Sequence, residues 1–66
     1  MALGTVKWFS DTKGYGFIAQ DNGNECYVHF SHIQGVGYRT LHEGDRVEFR
    51  EFGSERGKEA ADVTRI

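Results

Sequence analysis

Four side chains in the middle of the sequence have the right types and spacing to bind flat, unsaturated ligands: Tyr15, Phe17, Tyr27 and His29. Nucleobases are flat and π-rich, and rings spaced along a sheet can stack successive unpaired bases at about 1–3 kcal/mol each without reading their identity. Lys7 and Lys13 flank these rings in sequence and supply positive charge for phosphates. Trp8 and Phe9 lie just upstream and extend the candidate patch. A second constellation, Cys26, His29 and His32, has spacing that invites zinc, but positions 26 and 29 differ in strand parity and a closed zinc site needs a fourth ligand. No metal site and no cofactor are therefore expected. No nucleophile with a base and no paired carboxylates in a cleft can be read from the sequence, so the chain is not expected to be an enzyme. Gly14 and Gly16 make no phosphate-cradling loop because no helix follows them, and are expected to permit tight turns and close strand packing.

The elements that must position these rings are strands. Short runs of β-branched and aromatic residues alternate with clusters of Gly, Asn, Asp and Ser. The pattern predicts strands over roughly Gly4 to Ser10, Tyr15 to Gln20, Glu25 to Phe30, Asp45 to Phe52 and Glu59 to Arg65. Asn22-Gly23 is expected to form a type I′ hairpin turn between the second and third. Ser31 to Gly44 reads as a long loop with a short helical turn. Five short antiparallel strands in a chain too short for two full sheets most simply close into a small barrel, giving an all-β fold.

Parity then sorts the rings. Successive side chains on a strand point to opposite faces, so Tyr15 and Phe17 share one face while Gly16 and Ile18 take the other. Across the hairpin, Tyr27 and His29 share a face opposite Cys26 and Val28. If Ile18 and Val28 fill the core, the quartet stands outside, where a barrel this small has no second layer to cover it. An exposed apolar patch of that kind marks a binding surface. Trp8 and Phe30 are left open, since they share parity with core-like Val6 and Val28, and exposing Trp8 requires a bulge or strong twist. Val47 and Phe49 point inward in the alternating run from Arg46 to Arg50, and Phe49 and Phe52 are expected in the core. His32 and His42 read as solvated loop residues.

Composition narrows the class further. With 66 residues the chain is expected to form one domain, residues 1–66, with one small core. No apolar run approaches the roughly 20 residues of a membrane-spanning helix, and no signal peptide is visible, so the expectation is a soluble, cytoplasmic protein without membrane partners. The lone Cys26 cannot form an internal disulfide, which agrees with a reducing compartment. A net charge of −2 and a pI near 5.8 argue against a protein that coats duplex DNA by neutralising phosphates. Residues 1–41 hold three bases and three acids, whereas residues 42–66 hold five bases and seven acids. A surface built from the first part can therefore be neutral or locally positive.

Lys13-Gly14-Tyr15-Gly16-Phe17-Ile18 followed by Tyr27-Val28-His29-Phe30, with Val6-Lys7-Trp8-Phe9 upstream, resembles the paired ribonucleoprotein-type motifs and first strand of the cold-shock domain, as found in small bacterial cold-shock proteins. The likeness continues through Phe30-Ser31-His32-Ile33, Gly37-Tyr38-Arg39-Thr40-Leu41, Glu43-Gly44 and Ala60-Ala61-Asp62-Val63-Thr64, essentially the whole chain. It implies a five-stranded barrel of the oligonucleotide-binding (OB-fold) type. It also implies binding of single-stranded RNA and DNA, often pyrimidine-rich, and roles as an RNA chaperone and regulator of transcription or translation in the cold-shock or stress response. The implied ligand surface is Lys7, Trp8, Lys13, Tyr15, Phe17, Tyr27, His29, Phe30, Tyr38 and Arg56, with Phe9 at its margin. A monomer is expected. Tyr15, Tyr27 and Tyr38 stand where the family usually has phenylalanine, Lys58 where proline is frequent, Cys26 where an aliphatic residue is common and Ser10 where asparagine is common. The RNA-recognition-motif domain has a similar first motif, but places its other motif earlier and needs two packing helices. A polyproline-binding barrel of the SH3 type also uses aromatic grooves, but the two lysines beside the rings favour nucleic acid.

Overall fold

A computed structural model describes residues 1–35, 39–55 and 57–66. Five strands follow one another along the chain: β1 (Ala2–Ser10), β2 (Tyr15–Gln20), β3 (Glu25–His29), β4 (Arg46–Ser54) and β5 (Gly57–Arg65), with a 3₁₀ turn at Phe30–His32 after β3. They close into a barrel, as the sequence predicts, and its strand order is β1-β2-β3-β5-β4. Every seam is antiparallel except β3–β5, where Tyr27 pairs with Glu59 and Val28 with Ala60 in parallel. The exception is forced by count, because strand direction cannot alternate all the way around a ring of five. Among the described residues, no helix is long and apolar enough to cross a membrane.

Period-2 alternation fills the interior. Val6, Ile18, Cys26, Val28, Val47, Phe49 and Val63 are all buried, and Ile33 and Leu41 join them from the long connection between β3 and β4. Ile33 is tied to β5 by a parallel bridge to Val63. The condition on which the ring assignment rests, that Ile18 and Val28 face inward, is therefore met. Val28→Ala is expected to cost about 0.5–3 kcal/mol of stability, as truncation of a buried aliphatic does, while leaving the affinity of the folded fraction for single strands unchanged. Urea denaturation alongside a binding titration checks this, and unchanged stability would reverse the strand parity.

Three local expectations are corrected. Gly23 has φ 97°, but Asn22 does not share its positive φ, so the turn is not type I′. The Gly23 amide instead donates to the Gln20 carbonyl at 2.9 Å, the Gln20 amide to the Asn24 carbonyl at 2.8 Å, and the Asn22 side chain accepts from the Asn24 amide at 3.0 Å. This makes a three-residue loop in which a single glycine supplies the left-handed residue. Phe52 is half-buried rather than in the core. Counting by two from inward Phe49 puts Glu51 inside, where its carboxylate accepts from the Gln20 side-chain amide at 2.6 Å, and so puts Phe52 outside. His32 is likewise not fully solvated: it is half-buried, with its ring 5.7 Å from that of Phe52.

Candidate nucleic-acid interface

Two rows of rings cross the outer face of β1, β2 and β3. Tyr15 lies opposite His29 and Phe17 opposite Tyr27 across the β2–β3 pair, so the four side chains emerge on one face. Trp8 joins them through a β-bulge. Val6 pairs with Ile18 inside the barrel, and an unbroken register would then set Lys7 opposite Phe17 and turn Trp8 inward. The register instead shifts between Val6 and Trp8, so that Trp8 lies opposite Phe17. One extra residue flips the parity of the rest of the strand, and the largest side chain of the chain is delivered to the surface with 39% of it exposed.

The rings touch as a connected set. The Trp8 centroid is 5.8 Å from Tyr15 and 5.6 Å from Phe17, while Tyr27 is 5.7 Å from Tyr15 and 5.9 Å from Phe17. Those four rings hold one another by edge and tilted contacts, which leaves faces open to a ligand.

Phe30 reaches the same surface by a different route. β3 ends at His29, so strand parity no longer governs Phe30, which opens the 3₁₀ turn and is 46% exposed. Its amide donates to the Gly14 carbonyl at 2.9 Å, and a Cβ on Gly14 would lie 3.0 Å from Phe30 Cδ1, so glycine there lets the β1–β2 loop pass directly beside the ring. His29 Nδ1 accepts from the Ser31 amide at 3.3 Å and contacts the Ser31 hydroxyl at 2.9 Å, which fixes an imidazole whose centroid is 4.6 Å from Phe30. Phe9 is placed otherwise than expected. It pairs with inward Gly16 and packs against the core, outside the ring set, because the bulge that turns Trp8 out turns Phe9 in. Tyr38 and Arg56 lie outside the described residues.

Among the described residues, charge around the rings is sparse. Lys7 Nζ is 2.5 Å from Glu25 Oε2, with about half of each side chain exposed. Such a surface pair is worth at most about 1 kcal/mol, so a phosphate can displace the carboxylate at little cost. Lys13 is exposed and makes no ion pair among the described residues. Cys26 lies on the inner face of β3, away from His29, and its Sγ contacts the Gln20 amide nitrogen at 3.0 Å. Burial pushes its thiol up, favouring the protonated form over a nucleophilic thiolate.

A neighbouring feature was not anticipated from sequence. An open groove of about 480 Å³ runs along the β3–β5 seam, lined by Tyr27, His29, His32, Ser54, Glu55 and Glu59 among others. Its sequence signal was available in the parity of Phe52, the ring behind His32.

Residues 2–66 match the family model described as the 'Cold-shock' DNA-binding domain. The major cold shock protein of Micrococcus luteus is 55% identical over 67 residues, covering 100% of both chains. Cold shock protein 1 of Lactiplantibacillus plantarum is 56% identical over 63 residues, covering 96% of each. The solved structure titled "drosophila Unr CSD456" superposes with a TM-score of 0.78 at 21% identity, over 98% of this chain and 26% of that one, a likeness of fold.

Proposed function

The chain belongs to the cold-shock domain family, whose members bind nucleic acid and are not enzymes, and from that premise we propose that it holds single-stranded RNA and DNA by stacking unpaired bases on its outer rings. The observation that carries this reading is the connected set of Trp8, Tyr15, Phe17 and Tyr27 on the outer wall, continued by His29 and Phe30. A duplex keeps its base faces against one another and cannot use these rings without being opened. A single strand can. The protein acts as a cytoplasmic monomer in the cold-shock response, keeping RNA unpaired as a chaperone and so regulating transcription or translation. Pyrimidine-rich strands are favoured, because smaller bases lose less self-stacking when they move onto the protein.

Trp8 reports on binding directly, since it is part of the platform. Oligothymidine is expected to quench its fluorescence at concentrations where a duplex of equal length does not, with oligoadenine in between. Equal affinity for duplex and single strand would sink the stacking model.

Salt separates stacking from charge. Lys7, Lys13, Arg56 and Lys58 are the candidate phosphate contacts, and a single strand releases about 0.7 counterions per phosphate neutralised. The slope of log affinity against log salt is expected at about −2 to −3, and Lys13→Gln reduces it by somewhat less than one unit without changing base preference. A slope steeper than about −5 would make electrostatics the dominant source of affinity and the rings secondary.

A further inference from the structure

The seam groove lies beside the ring platform and shares Tyr27 and His29 with it, yet its chemistry differs. Tyr27, Glu59 and Phe52 lie directly opposite one another across β3, β5 and β4, which lines them up on the outer face with the carboxylate between two rings. Adjacent strands are about 4.8 Å apart, so Phe52 stands roughly 10 Å from Tyr27. The His32 ring, which lines the groove, leans on the Phe52 ring behind it at 5.7 Å and a 54° tilt, and both are half-buried. Ser54 Oγ donates to Glu59 Oε2 at 2.5 Å, which orients the carboxylate within the groove.

We propose that this groove is a separate base-reading pocket that takes a guanine from the same strand, stacked against His32, which Phe52 backs, with its Watson–Crick edge on Glu59. The proposal rests on the platform reading above, because the strand must already lie across Tyr27 and His29 to deliver the next base. The occupant follows from charge and donor geometry. Glu55 and Glu59 repel phosphate from the groove, so a strand passing here presents a base and not its backbone. A carboxylate only accepts hydrogen bonds and offers two oxygens. Guanine alone among the common bases presents two adjacent donors, N1–H and the N2 amine, on that edge. Adenine and cytosine set an acceptor nitrogen beside their amine, and uracil and thymine flank a single N–H with two carbonyls. The platform therefore holds bases without reading them, and the groove reads one.

The test is a set of oligothymidines carrying one guanine moved through the strand, each compared with inosine, which lacks the N2 amine. At one position, guanine is expected to bind at least about fivefold more tightly than inosine. Glu59→Gln should bring that ratio to about one. Reading a ratio cancels the general effect of removing a negative charge. His32→Ala should weaken the guanine strand by about fivefold or more and leave plain oligothymidine within about twofold. A guanine-to-inosine ratio near one at every position, or a ratio that survives Glu59→Gln, overturns the pocket while Trp8 quenching by oligothymidine leaves the platform standing. Absence of quenching by every strand overturns the platform, and the pocket with it.

Discussion

Replacing Gly16 with alanine is expected to cost at least about 3 kcal/mol of stability, the upper end of the range for overpacking, and to leave much of the population unfolded near room temperature. An ideal Cβ at Gly16 would lie 2.2 Å from the Trp8 carbonyl oxygen and 2.7 Å from Phe9 Cα. Both are backbone atoms of β1, so no side-chain rotation relieves the contact and the two strands must separate. They meet at the part of β1 whose bulge presents Trp8, so the same substitution disorders the platform. A domain of this length is held by roughly 3–10 kcal/mol in total, which makes the loss decisive. Gly53→Ala is the control. A Cβ there meets nothing within 4 Å and the position has no left-handed φ, so stability should be unchanged or rise by a few tenths of a kcal/mol. Urea midpoints that are alike for the two variants would mean that β1 and β2 are not so closely apposed.

The second large effect concerns binding. Phe17→Ala combined with Phe30→Ala is expected to weaken oligothymidine binding by about 2–6 kcal/mol, from one lost stacking contact of about 1–3 kcal/mol at each site. The two rings differ in setting. Phe30 is well exposed on the 3₁₀ turn, so its single variant should lose affinity with almost no change in stability. Phe17 is half-buried between Trp8 and Tyr27, so its variant should lose affinity together with a modest part of its stability. Titrating each variant with stability measured on the same sample separates the two losses. Affinity preserved in a folded double variant would remove the rings from the mechanism.

Much of the site was legible in the sequence because side-chain direction within an unbroken strand is a local property. Tyr15 and Phe17 on one strand, and Tyr27 and His29 on the next, could be set apart from Ile18 and Val28 by counting in twos. The same count, applied strictly from Phe49, would also have turned Phe52 outward. Asn22-Gly23 marks the place of the turn in the sequence, but its type I′ reading fails because only Gly23 takes a positive φ, which needed the backbone to be seen.

Only the tertiary structure decided what happens where the count breaks and which strands become neighbours. Trp8 is outside because β1 gains a residue against β2, and Phe30 because β3 stops one residue short of it. Neither break is marked in the residues themselves, since bulges and strand ends answer to the fit between chain segments distant in sequence. The pairing of β3 with β5 is of the same kind. It comes from closing five strands into a ring, and it alone brings Glu59 beside Tyr27 and sets Phe52 and His32 at the edge of the ring platform.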